Sequence, residues 1–255
     1  MTLYPPNQLK RKLSAGEPAL GYWLSLNSLA GTEMAAGAGW DWLLLDMEHS
    51  IHDVESVESH VLAAHHGGEA ELVVRLPSID PVLVKQLLDG GVRSFMFPFV
   101  QTIEEARLAV ESTRYPPWGV RGFSGTTRAN RYGRDTDYLK TYGDEVCVIV
   151  QIETPQAVAN VAAYGAVEGI DAMLIGANDL AANMGHLGDT RHPEVVRTVE
   201  AAGQAIRATG RAAGFQFFDE RAAHLLRQGF TLAAVGGDLH TMSVGMAQRL
   251  SDLRR

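Results

Sequence analysis

Residues 42–50 read Trp-Leu-Leu-Leu-Asp-Met-Glu-His-Ser, an apolar run that is followed at once by several chemically active side chains. Residues 54–65 then repeat apolar side chains at helical spacing, and the pattern stops at Gly67 and Gly68. A strand that is apolar on both faces and is followed by a helix is typical of a parallel sheet covered by helices. The stretch therefore predicts one strand–helix unit with polar groups at the carboxyl end of its strand.

Similar units recur along the chain. The eight apolar runs are Tyr22–Leu26, Trp42–Leu45, Leu72–Val74, Phe95–Val100, Val146–Ile152, Ala172–Ile175, Ala213–Phe218 and Leu232–Val235. Eight such units in 255 residues favour an α/β fold of the (β/α)8 TIM barrel type over a doubly wound sheet, which usually needs fewer strands. We expect one barrel domain over residues 1–255.

Two segments do not follow this alternation of strand and helix patterns. The first ten or so residues carry no strong pattern, and we expect a loosely held lead-in there. Residues 114–143 contain a Pro-Pro pair, several glycines and five arginines with little periodicity, which indicates a functional or partly disordered loop. Because the chain is acidic overall and the loop lacks alternating aromatics, a solvated loop, a lid or a subunit contact is favoured there over a nucleic-acid surface.

The composition is that of an ordinary globular protein, with 46% hydrophobic and 20% charged residues. Lys and Arg total 22 against 30 for Asp and Glu, a net charge of -8, which argues against binding to nucleic acid or anionic membranes. The single cysteine, Cys147, lies in an apolar run, which is typical of a packed core thiol. No signal peptide or membrane span is apparent, so we expect a cytoplasmic protein whose partner is a small molecule or a cation.

Polar side chains come directly after the predicted strands. They are Asp46, Glu48 and His49 after the second run, Arg75 after the third, Glu153 after the fifth, and Asn178 and Asp179 after the sixth. Barrel enzymes carry their chemistry at the carboxyl ends of the strands, so these side chains are expected on one rim. Each also has a structural interpretation, since Asp179, for example, is equally typical of the N-cap of a short helix.

Glu153 and Asp179 follow neighbouring strands, which lie about 4.8 Å apart in a parallel sheet. Two carboxylates without an adjacent His or Cys form a hard oxygen site suited to Mg²⁺ or Mn²⁺. About four further coordination positions are open to water and to a 2-oxo acid that chelates through its carboxylate and keto oxygens. The cation then acts as a Lewis acid on the carbonyl and stabilises an enolate.

The lysines argue against another way of activating a carbonyl. The four lysines of the chain are Lys10, Lys12, Lys85 and Lys140. None of them follows a strand, whereas a Schiff-base aldolase or a pyridoxal enzyme needs an amine at the mouth of the barrel. We therefore expect activation by a metal and Arg75, with no Schiff-base lysine and no organic cofactor. His49, close to Asp46, is the residue expected to move a proton at neutral pH.

Together these features resemble the HpcH/HpaI aldolase family of metal-dependent pyruvate aldolases. The matching segments are residues 21–26 and 38–50, Val73-Val74-Arg75, Lys85-Gln86-Leu87-Leu88-Asp89, Arg114-Tyr115-Pro116-Pro117 with Gly119, Arg121 and Gly122, Val150-Gln151-Ile152-Glu153-Thr154, and Ile175-Gly176 with Asp179-Leu180. The resemblance implies a barrel of the phosphoenolpyruvate/pyruvate superfamily. It also implies reversible cleavage of 4-hydroxy-2-oxo acids, as by 4-hydroxy-2-oxoheptanedioate or 2-dehydro-3-deoxyglucarate aldolases, to pyruvate or a related 2-oxo acid such as hydroxypyruvate, and an aldehyde.

The resemblance implies roles for individual residues as well. Glu153 and Asp179 hold a divalent cation, Mg²⁺, Mn²⁺ or Co²⁺, and Arg75 holds the 2-oxo group and the enolate oxygen. His49 and Asp46 belong to the proton path at the C4 hydroxyl. The implied substrate-binding residues are Arg75, Gln151, Gly176, Ala177, Asn178, Asp179 and Gln216.

The same resemblance implies a homo-oligomer. Members typically exchange their last helix between subunits and assemble as trimers of dimers, which makes a homohexamer. In such an assembly Asp89 reaches the site of a neighbouring subunit and counts among the catalytic residues. A role in the catabolism of aromatic compounds is a further implication.

Some segments depart from the pattern of the best-known members. They are Asp46-Met47-Glu48-His49, with Met where Gly is usual, Gly176-Ala177-Asn178-Asp179, which replaces a Gly-Pro-Ala-Asp type, and the more aromatic Gly214–Phe218. These changes alter the walls around the aldehyde half, so the natural aldehyde is left open. Three other functions also stay open: a phosphosugar enzyme with phosphate at Gly236-Gly237, a citrate-lyase-like thioester lyase, and a non-catalytic barrel that binds 2-oxo acids.

Overall fold

The structure, a computed structural model, describes residues 6–254 and contains a closed barrel of eight parallel strands. The strands are β1 Ala19–Leu24, β2 Trp42–Asp46, β3 Glu71–Arg75, β4 Ser94–Phe97, β5 Cys147–Ile152, β6 Ala172–Ile175, β7 Ala212–Gln216 and β8 Leu232–Gly237. Each strand pairs in parallel with the next one along the chain, and β8 closes the barrel on β1. The predicted (β/α)8 fold class is therefore confirmed.

Helices alternate with the strands around the outside of the barrel. They are α1 Gln8–Ser14, α2 Leu29–Ala36, α3 Val54–Gly67, α4 Pro81–Asp89, α5 Ile103–Glu111, α6 Tyr138–Glu145, α7 Pro155–Ala159, α8 Val161–Gly165, α9 Ala177–Asn183, α10 Pro193–Ala208, α11 Arg221–Arg227 and α12 Asp238–Leu253. Side chains cap several of them; Asp53 before α3 and Thr102 before α5 each take part in a reciprocal capping box. No helix of residues 6–254 is long and apolar enough to cross a membrane.

Alternate side chains of each strand lie in two different apolar layers. In β2, Leu43 and Leu45 point outward into the larger layer between strands and helices, whereas Trp42 and Leu44 point into the barrel. Cys147 belongs to the inner layer and has no exposed surface, and its burial raises the pKa of the thiol. The cysteine is a packed core residue, as the sequence predicts.

The amino-terminal residues are more ordered than the sequence indicates. They form α1, whose Leu9 and Leu13 are buried in the inner apolar layer. Asn7 caps α1, and its side-chain amide donates a hydrogen bond of 2.9 Å to Ser94 Oγ at the start of β4. The expected loose lead-in is therefore wrong from Pro6 onward, because α1 is stabilised by the open amino end of the barrel, which the local pattern does not reveal. Residues 1–5 lie outside the described part of the chain.

The irregular segment over residues 114–143 is shorter than the sequence predicts. Helix α6 begins within it, at Tyr138. Its N-cap, Asp137, makes no side-chain capping bond, and Gly143 lies inside the helix. Both features weaken the helical signal in the sequence, since a missing cap and an internal glycine each disfavour helix formation.

Gly203 lies inside α10, where the ring of Phe230 packs against the helix backbone. A Cβ atom at this position would lie 2.0 Å from Cζ of Phe230. We expect Gly203→Ala to lower the free energy of unfolding by about 1–3 kcal/mol, because the buried ring must move. Gly245→Ala in α12 is the matched control: among the described residues of the single chain no atom lies within 4 Å of its Cβ position, so alanine there leaves stability unchanged or raises it by up to about 1 kcal/mol. Urea unfolding measures both, and equal stabilities would contradict the expectation.

His60 of α3 and His52, which precedes that helix, form a buried pair with ring centroids 4.8 Å apart. The Nδ1 atom of His60 lies 2.7 Å from Thr32 Oγ1, and its Nε2 atom lies 3.1 Å from Asn27 Oδ1. Burial, together with the charge of His52, lowers the pKa of His60 to about 4. The folded chain therefore keeps this imidazole neutral at pH values where an unfolded chain protonates it.

The shifted pKa gives stability a pH dependence of definite sign. Unfolded His60 takes up a proton near its ordinary pKa of 6.5 and folded His60 only near 4, so acid favours the unfolded state between these values. Its contribution to the free energy of unfolding is expected to be fully present above pH 6.5 and to be lost as the pH falls to about 4. Urea unfolding over a pH series should show this slope flattened in His60→Asn. His66→Asn, on the exposed part of the same helix, should keep the slope.

Candidate active site

A cavity of about 560 Å³ opens at the carboxyl ends of the strands. Its walls are formed by Trp23, Ser25, Asp46, His49, Arg75, Gln151, Glu153, Gly176, Ala177, Asn178, Asp179, Gln216, Phe218, Gly237, Asp238, Leu239 and His240. All the catalytic, substrate-binding and metal-binding residues predicted from the sequence, apart from Asp89, belong to this set. Glu48, which was also expected on the rim, does not line the cavity but contacts Arg75. The strand ends thus bring them together as expected for a barrel of this type.

Arg75 is the best-held side chain of the cavity. It ends β3 directly opposite Asp46, the last residue of β2, and its Nε atom donates a hydrogen bond of 2.9 Å to Asp46 Oδ1. Its Nη2 atom donates to Asp46 Oδ2, and its Nη1 atom lies 2.8 Å from Glu48 Oε2. The guanidinium also lies over the ring of Trp23, 4.8 Å from the ring centroid. A cation fixed in this way is preorganised to receive negative charge.

Asp46 is occupied with holding its neighbours in place. Besides Arg75, its carboxylate accepts a hydrogen bond of 3.1 Å from Trp23 Nε1 and two from the backbone N–H groups of Glu48 and His49. Burial by itself raises the pKa of Asp46, but the hydrogen bonds and charge of Arg75 outweigh it, so the pKa lies below its ordinary value. Asp46 is therefore an ionised anchor for Arg75.

His49 lies at the mouth of the cavity, and its side chain is 67% exposed. Its Nε2 atom lies 4.0 Å from Glu48 Oε2, whereas Asp46 contacts only its backbone N–H. Burial raises the pKa of Glu48 even though Arg75 opposes the shift. The carboxylate beside the imidazole is thus Glu48, whereas the sequence analysis paired His49 with Asp46 in the proton path.

Glu153 follows β5 and is 3% exposed. Its Oε1 atom accepts a hydrogen bond of 2.9 Å from Gln151 Nε2, and its Oε2 atom accepts one of 2.8 Å from the backbone N–H of Phe99. Phe99 adopts a left-handed backbone conformation with φ of 53°, which ends the predicted fourth run early and orients this N–H. Burial, together with the charges of Glu48 and Asp179, raises the pKa of Glu153 to about 7.

Asp179 lies in the first turn of α9, three residues after the N-cap, Gly176. Its interpretation as the N-cap residue is therefore wrong, and its carboxylate is available to the cavity, whose wall it lines. Gly176 has a packing reason to be glycine, since a Cβ atom there would lie 2.4 Å from Glu153 Oε1. The absent side chain leaves room for the buried carboxylate at the neighbouring strand end.

The oxygen atoms around Glu153 and Asp179 suit a hard divalent cation. Both residues offer carboxylates, and the buried Gln151 adds an amide oxygen that has no hydrogen-bond partner among the described residues. Such oxygens are the ligands that Mg²⁺ and Mn²⁺ prefer, or acceptors for the water these ions carry. A cation would also offset the repulsion among the carboxylates. The residues present therefore fit the predicted metal.

Asp89 is the one predicted catalytic residue that lies outside the cavity. It ends α4, and its Oδ1 atom lies 2.6 Å from Nη2 of Arg121. Arg121 is 1% exposed and lies over the ring of Tyr115, with its guanidinium carbon 4.4 Å from the ring centroid. Within one chain Asp89 thus anchors a buried arginine of the 114–143 segment.

The glycine pair after the eighth predicted strand lies at the end of β8, with Gly237 in the cavity wall. A Cβ atom on Gly236 would lie 2.8 Å from Cδ2 of Tyr22, and one on Gly237 would lie 3.2 Å from Cε2 of Phe218. Close packing of two aromatic rings against the backbone explains both glycines. The pair therefore gives no specific support to a phosphate site.

Several side chains of the cavity were missed by the sequence reasoning. The ring of Trp23 packs against the guanidinium of Arg75, and its Nε1 atom donates a hydrogen bond to Asp46. The ring centroid of His240 lies 5.4 Å from that of Phe218. Asp238 accepts hydrogen bonds from the backbone N–H groups of Ser25 and Leu26, and so ties the end of β1 to the start of α12. An aromatic residue within a strand has no functional signal in a single sequence. Position after the last strand left the role of His240 open, and it could have indicated Asp238 as well.

Comparison with known proteins agrees with this geometry. The sequence model described as HpcH/HpaI aldolase/citrate lyase matches residues 19–244. A pyruvate aldolase of Rhizobium etli is 43% identical over 242 residues, which cover 94% of this chain and 95% of the relative. A 4-hydroxy-2-oxo-heptane-1,7-dioate aldolase of Klebsiella pneumoniae is 44% identical over 241 residues, 94% of this chain and 91% of the relative. A crystal structure of an HpcH/HpaI aldolase/citrate lyase family protein from Burkholderia cenocepacia superposes with a TM-score of 0.93 at 40% identity, covering 98% of this chain and 100% of the other.

Proposed function

The chain belongs to the HpcH/HpaI aldolase/citrate lyase family and is a class II aldolase, a carbon–carbon lyase that acts on 2-oxo acids; we propose that it reversibly cleaves 4-hydroxy-2-oxo acids to pyruvate, or to a related 2-oxo acid such as hydroxypyruvate, and an aldehyde. The observation that carries the proposal is the buried Arg75, fixed by Asp46 and Glu48 in the same cavity as Glu153 and Asp179. A preorganised cation beside a hard oxygen site is the arrangement that enolate chemistry requires.

Glu153 and Asp179 hold the divalent cation in this proposal, and Mg²⁺, Mn²⁺ and Co²⁺ are all compatible with oxygen ligands. When bound, the ion supplies Lewis acidity toward the keto oxygen of the substrate. Gln151, Gly176, Ala177, Asn178 and Gln216 line the remainder of the 2-oxo acid pocket. The chain's own contribution is to orient the substrate against Arg75 and to exclude water from its buried side.

In this proposal His49 and its neighbours carry out the proton transfers. In the cleavage direction a base at His49 accepts the proton of the C4 hydroxyl, with Glu48 beside it to stabilise the protonated imidazole. The C3–C4 bond breaks, the aldehyde leaves, and the electron pair moves to the keto oxygen, where Arg75 stabilises the enolate. The protonated imidazole then returns this proton to C3 through water, which releases pyruvate and restores the base. Asp46 acts through Arg75, as its anchor, and takes no proton itself.

The aldehyde half lies on the aromatic side of the cavity. Phe218 and His240 form one wall, 5.4 Å apart between ring centroids, and Leu239 lies beside them. These rings favour an aldehyde with an apolar or planar portion, since packing such a group against aromatic rings stabilises binding. Catabolism of aromatic compounds and a cytoplasmic location stay predictions.

The assembly we propose is a homo-oligomer, a trimer of dimers in which α12 packs on a neighbouring subunit. Helix α12 has no buried residue in the single chain, although it carries apolar side chains. Those at least half exposed are Leu239, Met242, Val244, Met246 and Leu253. Leu239, Met242, Met246 and Leu253 recur at helical spacing on one face, and an exposed apolar helix face is a typical subunit contact. In this assembly Asp89 contributes to the site of a neighbour, and a light-scattering mass of six chains tests the proposal.

The function is tested with a panel of aldehydes, offered with pyruvate and separately with hydroxypyruvate, with and without a chelator. We expect aldol products to form, to disappear with the chelator, and to return when Mn²⁺ is added, because carbonyl activation needs the cation. Turnover that the chelator leaves intact would overturn the metal assignment. Turnover of phosphorylated aldehydes alone would identify a phosphosugar enzyme, and metal-dependent binding of 2-oxo acids without any bond formation would identify a binding barrel.

A further inference from the structure

We propose that the chain carries a second metal site, outside the barrel cavity, formed by His186, His192 and Glu194 and suited to Zn²⁺ or a similar transition-metal ion. One ligand atom from each of the three residues lies within 4.8 Å of those of the other two. None of the three lines the cavity that holds the predicted catalytic residues. The site is therefore separate from the one proposed for the aldol reaction, and it does not depend on that function.

One pair of ligand atoms already has about the spacing that a tetrahedral ion requires. Zn²⁺ bonds of about 2.0–2.1 Å place neighbouring ligand atoms roughly 3.4 Å apart. The Nε2 atom of His186 lies 3.1 Å from Glu194 Oε2, and the rings of His186 and His192 are stacked, with centroids 3.5 Å apart and planes inclined by 18°. An ion bound to an imidazole nitrogen lies in the plane of that ring, so the stacked rings must rotate out of the stack about their side-chain torsions before both can bind one ion. A fourth position is then open to water.

The backbone of both histidines is held in place without an ion. The N–H of His186 donates a hydrogen bond of 2.8 Å to the Ala181 carbonyl oxygen, and the N–H of His192 donates one of 3.2 Å to that of Asp189. His192 is the N-cap of α10, and Glu194 lies in its first turn, so their relative position is set by the helix start. Because this backbone is already ordered, only the side-chain torsions remain to be fixed on binding, which favours a metal site.

Two further features weaken ligation without preventing it. The Nδ1 atom of His192 accepts a hydrogen bond from the Glu194 N–H, but that bond is long, at 3.3 Å. When an ion takes the lone pair of Nδ1, this exposed N–H can donate to a water molecule instead. The amino end of α10 carries a partial positive charge, which disfavours a cation modestly. The alternative is a simple ion pair between His186 and Glu194, and it predicts no metal uptake.

The chemistry of the ligands separates this site from the barrel cavity. Two imidazoles and one carboxylate favour Zn²⁺, Co²⁺ or Ni²⁺ over Mg²⁺, whereas an oxygen-only site accepts Mg²⁺ and Mn²⁺. The ion would fix the segment that joins α9, which carries Asp179, to α10. Its expected effect is structural, as a clip between two helices of the barrel wall.

The test is equilibrium dialysis of the full chain against Zn²⁺ in excess Mg²⁺, with bound zinc counted by mass spectrometry. The wild-type chain should take up one more equivalent of zinc than His186→Ala or His192→Ala, whose affinity at this site should fall by about 10–100-fold or more. His224→Ala is the matched control, because His224 pairs with Glu200 at 2.9 Å and belongs to no such triplet among the described residues. It should keep the wild-type stoichiometry.

A second measurement separates ligation from misfolding. Glu194→Gln leaves both imidazoles and the helix start in place, so it should fold normally, weaken zinc binding and reduce the rise in Tm that zinc produces. Aldol turnover with Mg²⁺ should be unchanged in this variant, since the residue lies outside the cavity. Equal zinc uptake by the wild-type chain and the three variants of the triplet would overturn the proposal, and so would the absence of uptake in the wild type.

Discussion

Arg75→Ala is expected to slow pyruvate enolisation by about 10²–10³-fold, the usual cost of losing a main donor to a developing oxyanion. Arg75 is the cation best placed to receive that charge, because it is buried and held by Asp46 and Glu48. The measurement is the rate at which the C3 protons of pyruvate exchange into deuterated water, followed by NMR. This isolates the enolate step from the aldehyde.

The same substitution removes the partner of two carboxylates, and breaking a buried ion pair costs about 3–5 kcal/mol of stability. Arg75→Lys therefore serves as the second variant: it keeps the charge and loses the two-pronged contact with Asp46, so it should fold and still exchange more slowly than the wild type. Arg191→Ala, which removes an exposed arginine paired with Asp219, is the control and should leave exchange unchanged. Wild-type exchange in a folded Arg75→Ala protein would refute the role of this residue.

The Glu153→Ala/Asp179→Ala double variant is expected to lose both the bound cation and aldol turnover. Lewis-acid stabilisation supplies several kcal/mol, and each 1.36 kcal/mol is a factor of ten, so turnover should fall by about 10³-fold or more. Mn²⁺ binding followed by electron paramagnetic resonance should show the loss of the oxygen-ligated site. The double variant is expected to fold, because it removes the buried carboxylate of Glu153, whose burial is unfavourable and raises its pKa to about 7.

Glu58→Ala/Glu104→Ala is the matched control, since it removes two carboxylates that are exposed on α3 and α5. It should bind Mn²⁺ and turn over as the wild type does. Full turnover in the Glu153→Ala/Asp179→Ala protein, or Mn²⁺ held there with unchanged affinity, would show that these two residues are not the ligands. The zinc experiment on His186 and His192 is interpreted separately, because these residues lie outside the cavity that holds Glu153 and Asp179.

Much of the fold could be predicted because its determinants are local. The sixth apolar run agrees with β6 at both ends, and the second agrees with β2 to within one residue. The predictions failed where stabilisation comes from distant parts of the chain. Helix α1 is ordered because Leu9 and Leu13 pack into the amino end of the barrel, and no spacing within seven residues reveals that contact.

The sequence predicted which residues belong to the candidate site, but not which of their side chains contact each other. Position after a strand identified Arg75, Glu153 and Asp179, since the carboxyl ends of barrel strands meet at one rim. The carboxylate beside His49, however, is Glu48, because Asp46 is held by the opposing residue of β3. Three polar residues in four positions offer no means of choosing between such partners.

The sequence by itself determined the barrel and the set of polar residues at its mouth, because hydrophobic periodicity and order along the chain are local properties that fold class depends on directly. Only the tertiary structure decided that Trp23 and Asp46 hold Arg75, that Phe99 donates to Glu153, and that the two imidazoles of the zinc proposal stack. These contacts join residues on different elements and depend on strand register and on distances of a few ångströms. Spacing along a chain carries no information at that scale.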